Sequence, residues 1–162
     1  MNSQGRDRMN STLQSYHNWI DYLDQLREVD QAIWLKPIAE GKWSVAAIVA
    51  HIMWWDRYFL EIRLEGMIKG EQLPRSQVDA QAMNQAAEQY AHSGIAKDTL
   101  IDEAKQQRLG LIQYLTDVQL NTQFHIGERT MTICDYIIGQ CEHDTHHMDQ
   151  IQQFLVQTTN SH

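Results

Sequence analysis

The chain has 162 residues, 43% hydrophobic and 21% charged, with 13 basic against 21 acidic side chains and a formal charge of -8. A chain of this size buries roughly two-thirds of its unfolded surface, so its core needs neither disulfides nor a metal; any metal would serve function. The acidic balance and the lack of a Lys/Arg-rich run exclude charge-driven binding to nucleic acid or anionic lipid.

Arg6 and Arg8 near the N-terminus have no apolar run behind them, and nothing approaches the roughly 20 apolar residues of a membrane span. A cytoplasmic chain forming one domain over 1–162 is expected. Cys134 and Cys141 sit about 10 Å apart along a helix, too far for a bridge, and read as reduced thiols filling core space.

Two prolines and eight glycines leave few breaks, and apolar residues recur at helical spacing almost throughout, which predicts an all-α four-helix bundle. Met9, Leu13, Tyr16, Ile20, Leu23 and Leu26 form one stripe on a first helix over about 7–30. After Pro37 and Gly41, Ser44 can cap a second helix carrying Val45, Ile48, Val49, Ile52, Phe59 and Ile62 as far as Glu65. Residues 71–97 read as a long polar crossover, with a short helix over Asp79 to Ala91. A third long helix spans about 97–117 with Leu100, Ala104, Leu111 and Leu115 inward. A polar loop with Asn121 and Gly127 follows. Thr132 and Asp135 then form a capping-box pattern that opens a fourth helix, ending near Gln157.

The residues that could carry chemistry are on the second and fourth helices. His143 and His147 are four apart, about 40° apart on the helix surface and one turn apart along it, so both imidazoles can reach one ion. His146 could pair with His143, but it diverges from His147 by about 100°. His51 lies in an apolar and aromatic segment and supplies the third candidate ligand. Three neutral imidazoles leave a tetrahedral site one position open, as in catalytic zinc sites. The alternatives are a core imidazole bonded to a carbonyl for His51 and a solvated face beside Glu142 and Asp144 for the pair. Trp55, Tyr58, Tyr136 and Gln150 share the histidines' faces and are the candidate substrate-binding residues, although Trp54, Trp55 and Tyr58 also suit the bundle core. Asp56, Arg57, Glu61 and Arg63 read as a solvated or ion-paired face, with Asp56 or Arg57 within reach of a pocket mouth. His17 is a candidate outer support; His92, His125 and His162 have no assigned role. Phosphate-loop, nucleophile-elbow, zincin and Cys-x-x-Cys patterns are absent.

The run Trp43-Ser44 followed by His51 at the start of the second helix, and His143-x-x-x-His147-x-x-Gln150-Ile151 in the last, resemble the two signatures of DinB-like proteins. That resemblance covers nearly the whole chain and is weakest over the crossover, 66–96. It implies a bundle with up-down-down-up topology, a metal triad at His51, His143 and His147 holding Zn²⁺ or Ni²⁺, and a homodimer. It also implies chemistry on a small-molecule substrate: relatives include thiol S-transferases using a low-molecular-weight thiol cosubstrate, a thiol-dependent isomerase and metal-dependent hydrolases. The isomerase type is more similar to Glu/His where this chain has His/His, which turns the reading toward transferase or hydrolase. The other reading is a non-catalytic protein that binds or sequesters a metal or small ligand.

Overall fold

In a computed structural model describing residues 3–159, four long helical rods form the bundle. Helix α1 (Ser3–Gln25) ends in a 3₁₀ turn (Leu26–Glu28), and α2 (Gln31–Trp34) is a single turn. The second rod runs through α3 (Val45–Tyr58), a π-helical turn (Phe59–Arg63) and α4 (Leu64–Ile68) without a break. The crossover carries α5 (Ala80–Ala91), followed by α6 (Lys97–Thr116) and α7 (Ile133–Thr159). The expected caps form: Ser44 Oγ accepts from the Ala47 N–H at 3.1 Å. At the start of α7, Thr132 and Asp135 exchange side-chain to backbone bonds at 3.0 and 3.1 Å.

Cross-rod pairs fix the directions. On α1 and α7, Arg8 meets Asp135 and Tyr22 meets Gln152, so these rods are parallel. Asp24 meets Lys105 while Arg108 reaches the Tyr16 carbonyl, so α1 and α6 are antiparallel. His51 faces His147 and Phe59 faces Tyr136, making α3 antiparallel to α7. The early part of α3 shares a core with Leu100 and Ala104, and Phe59 shares one with Leu111 and Leu115, making α3 and α6 parallel. The order is up-down-down-up. Two consecutive parallel rods need a long return between them, which the segment with α5 provides.

Two readings of the linkers are corrected. The segment expected to be a polar loop around Gly127 is a hairpin of β2 (Gln123–Ile126) and β3 (Arg129–Thr132), with β1 (Gln72–Leu73) added parallel to β2. Gly127 turns it at φ 58°, a conformation that favours glycine. The crossover also packs on the bundle through the buried Ala87 and Ala91 of α5.

The core is divided. One apolar cluster centres on Trp19, Trp34, Ile48 and Leu100, the other on Tyr16, Phe59, Leu111 and Ile137. Between them along every rod sits a polar layer. Arg108 of α6, 1% exposed, is bracketed by Asp56 of α3 and Asp144 of α7, which are 3% and 5% exposed. Of the two expected alternatives for Asp56 and Arg63, a solvated or an ion-paired face, Asp56 takes the second, paired with Arg108; neither residue is solvated, because both occupy inward positions of the apolar stripe and are buried. Arg57 and Glu61 are exposed as expected.

Candidate functional site

A cavity of about 300 Å³ opens beside that polar layer, lined by residues of α3, the π turn, α5, α6 and α7. At one end stand His51, His143 and His147. Trp55, Tyr58 and Tyr136 line the walls, and Asp56, Asp144, Arg108 and Arg63 complete the polar part. Gln150, the fourth expected substrate-binding residue, is not among the lining side chains; its Oε1 meets His147 Nδ1 at 3.1 Å.

The tautomer of His51 follows from its neighbours. Asn84 of α5 faces both Trp55 Nε1 and His51 Nδ1 with the same atom, each at 2.9 Å. Indole N–H is a donor only, so that Asn84 atom is the carbonyl oxygen and His51 Nδ1 must carry the proton. The lone pair is therefore on His51 Nε2. His147 is held the same way by the Gln150 oxygen, leaving its Nε2 as the acceptor.

The two rings lie 5.1 Å apart between centroids. Imidazoles bound to one tetrahedral Zn²⁺ through nitrogen at about 2.0–2.1 Å have centroids about 5 Å apart, so the pair fits a shared ion. His143, one turn earlier, lines the same cavity but is exposed. Among the described residues no three His, Cys, Asp or Glu side chains form a ready-made metal-holding group. Completing a triad requires His143 to swing inward, which an exposed side chain can do. The donor set fits a borderline ion such as Zn²⁺ or Ni²⁺.

Both imidazoles are kept neutral. Burial, reinforced by His147, pulls His51 from 6.5 to about 4. Burial also lowers His147, against the opposing pull of Gln150. Trp43 packs on His51 from its other side, at 4.7 Å between ring centres.

The polar layer is a second constellation. Arg108 donates to Asp56 at 2.9 and 3.1 Å, to Asp144 at 2.8 and 3.1 Å, and to the Tyr16 carbonyl at 2.9 Å. Its guanidinium lies 3.9 Å from the Tyr16 ring centre, and the Tyr16 hydroxyl donates to Asp56 at 3.2 Å. Burial pushes the Asp56 carboxyl up to about 6 even though Arg108 pulls it down. Two carboxylates share one guanidinium, so Asp56 can hold or release a proton at the cavity wall near neutral pH.

The remaining histidines lie elsewhere. His17 Nδ1 is 3.9 Å from Asp21 and does not line the cavity, so it is no outer support. His92 meets Ser44 Oγ at 2.8 Å, His125 meets Thr130 at 2.9 Å, and His162 lies outside the described residues. Both cysteines are free, and burial pushes the Cys141 thiol up to about 12.

Asn84, Arg108 and the buried pairing of Asp144 escaped the sequence reading, and Asp56 was in view only as an ion-paired or pocket-mouth residue. For the charged three a signal existed. Arg108 falls in step with Ile101, Ala104, Leu111 and Leu115, so a charge interrupts an otherwise apolar stripe. Asn84 gave no such signal, being one amide in a helix rich in Ala and Gln.

Comparison with known families shows that the profile of the DinB superfamily matches residues 14–151, and the chain belongs to that superfamily. Among solved structures it is similar to YfiT from Bacillus subtilis, described as a "probable metal-dependent hydrolase with an unusual four-helix bundle topology". The TM-score is 0.74 at 15% identity, over 98% of this chain and 90% of that one, which shows a shared fold. No curated protein sequence matches the chain.

Proposed function

We propose that this DinB-superfamily chain is a metal-dependent enzyme acting on a small molecule, as a thiol S-transferase or a hydrolase, with His51, His143 and His147 as the metal ligands. The observation that carries the reading is the His51–His147 pair: rings 5.1 Å apart, both neutral, each with Nδ1 bonded to an amide oxygen so that Nε2 is left as the donor to an ion. A bound Zn²⁺ or Ni²⁺ would supply Lewis acidity that favours the anionic form of a thiol or water at neutral pH.

The protein's own groups do the rest. Asn84 and Gln150 orient the imidazoles and fix their tautomers. Trp55, Tyr58 and Tyr136 form an aromatic wall that excludes water and holds an apolar body. Asp56, at about 6, is placed to take up the proton of a thiol or water entering the cavity, with Arg108 steadying the resulting charge.

The non-catalytic alternative, a chain that binds or sequesters a metal or small ligand, draws on the incomplete histidine group. One experiment addresses the metal and another the turnover. Protein purified without a histidine tag should hold about one equivalent of Zn²⁺ or Ni²⁺, and His143→Ala with His147→Ala should remove it; stoichiometric metal in the double variant overturns the assignment. Loaded protein that gives no turnover across thiol and ester panels while still binding the test compounds supports the alternative.

A further inference from the structure

Arg63 is 6% exposed and lines the cavity, yet it pairs with no carboxylate among the described residues. Its Nε donates to the Tyr58 hydroxyl at 2.7 Å, and Nη2 donates to the carbonyls of Arg75 at 2.5 Å and Pro74 at 3.5 Å. All three acceptors are neutral. The cavity's carboxylates, Asp56 and Asp144, are both engaged by Arg108. A buried cation without a counter-charge is costly, and in a chain of charge -8 it stands out.

The π turn sets Arg63 against Tyr58. In an α-helix, residues five apart point about 140° away from each other. In a turn closed by i to i+5 bonds, with about 4.4 residues per turn, they come within about 50° of each other. Arg63 lies over Tyr58, its guanidinium carbon 5.2 Å from that ring centre and 5.9 Å from the centre of Tyr136, at the cavity wall.

We infer that Arg63 is the anion-recognising end of the cavity, taking the carboxylate of a small organic acid whose body lies along Trp55, Tyr58 and Tyr136 and whose reacting group faces the histidines. The inference rests on the small-molecule reading above and needs no metal. A monoanion is favoured because Nε and Nη2 are already occupied and the guanidinium also bonds to Tyr136, which leaves it little donor capacity; a phosphate dianion would call for more cationic donors than the cavity offers.

The test uses the metal-free full chain and isothermal titration calorimetry with phenylacetate and its neutral isostere phenylacetamide. Phenylacetate should bind saturably and about tenfold more tightly than the amide. Arg63→Gln should bring phenylacetate down to the affinity of the amide and leave the amide within about twofold, while Arg63→Lys keeps part of the preference. A purely structural Arg63 would lower both ligands together. Equal affinities in the native chain, no saturable phenylacetate binding, or parallel loss in Arg63→Gln overturns the inference. If Arg63→Gln fails to fold by circular dichroism, Tyr58→Phe, which removes the hydroxyl that accepts from Arg63 Nε and from the Gln77 N–H, should weaken phenylacetate selectively, and a parallel loss there overturns the inference as well. Because no metal is present, this outcome is independent of whether the histidines bind one.

Discussion

Asp56 and Arg108 join the two parallel rods at mid-height through two hydrogen bonds of 2.9 and 3.1 Å, with Asp56 3% and Arg108 1% exposed. Removing the cation alone would strand two carboxylates between two apolar clusters. Arg108→Met should therefore cost about 3–5 kcal/mol of unfolding free energy. Converting Asp56 and Asp144 to Leu in the same chain should restore most of that, because an apolar layer of similar volume replaces an ionic one. Urea unfolding of the single and triple variants measures both, and a loss below about 1 kcal/mol for Arg108→Met would show that the layer carries no such charge balance.

The pH dependence of the metal-free protein should contain two opposed contributions. Between its ordinary 6.5 and about 4, His51 is protonated in the unfolded chain and neutral in the folded one, so its contribution raises stability as pH climbs through that window. Asp56 works in the other direction. From 3.8 to about 6 the folded chain keeps a proton that the unfolded chain has released, so its contribution falls as pH rises. Asp56→Asn should steepen the rise in stability across this range and His51→Gln should flatten it. Denaturation series at several pH values rank the three proteins, and the reverse ranking contradicts the assigned shifts.

Asn84→Ala removes the one oxygen that accepts from both His51 and Trp55. Metal affinity should fall about 10–100-fold, the usual cost of losing a group that orients a ligand, while the melting temperature changes little because Asn84 is only half-buried on α5. Competition with a chelator gives the affinity. An unchanged value would mean that this amide does not orient the ring for binding.

The rods were legible because long amphipathic stripes repeat the same signal many times, from Met9 to Leu26 and again from Leu100 to Leu115. The caps at Ser44 and at Thr132 with Asp135 were legible because capping chemistry is local. The sheet was not: its strands have two to four residues, and β2 buries only Phe124 deeply, too few residues for an alternation to show. The histidine faces followed from helical angles, but the partners that set their tautomers split according to distance along the chain. Gln150 is three residues from His147 and was in view, although as a pocket residue; Asn84 is 33 residues from His51 and becomes its neighbour only when α5 folds back onto α3. The depth at which Asp56 and Arg63 are buried was not legible from their charge, which on most helices marks solvent, although their places in the stripe point inward.

The parallel course of α1 and α7 has a topological consequence. Ser3 lies at the pole where α7 starts and Thr159 at the pole where it ends, and the 27 residues of α7 separate these by about 40 Å. Copies or fused proteins can be threaded tail to head in a straight string, with no linker doubling back. Joining the start of α1 to the end of α7 would instead need a tether of roughly a dozen fully stretched residues laid down the outside of the bundle.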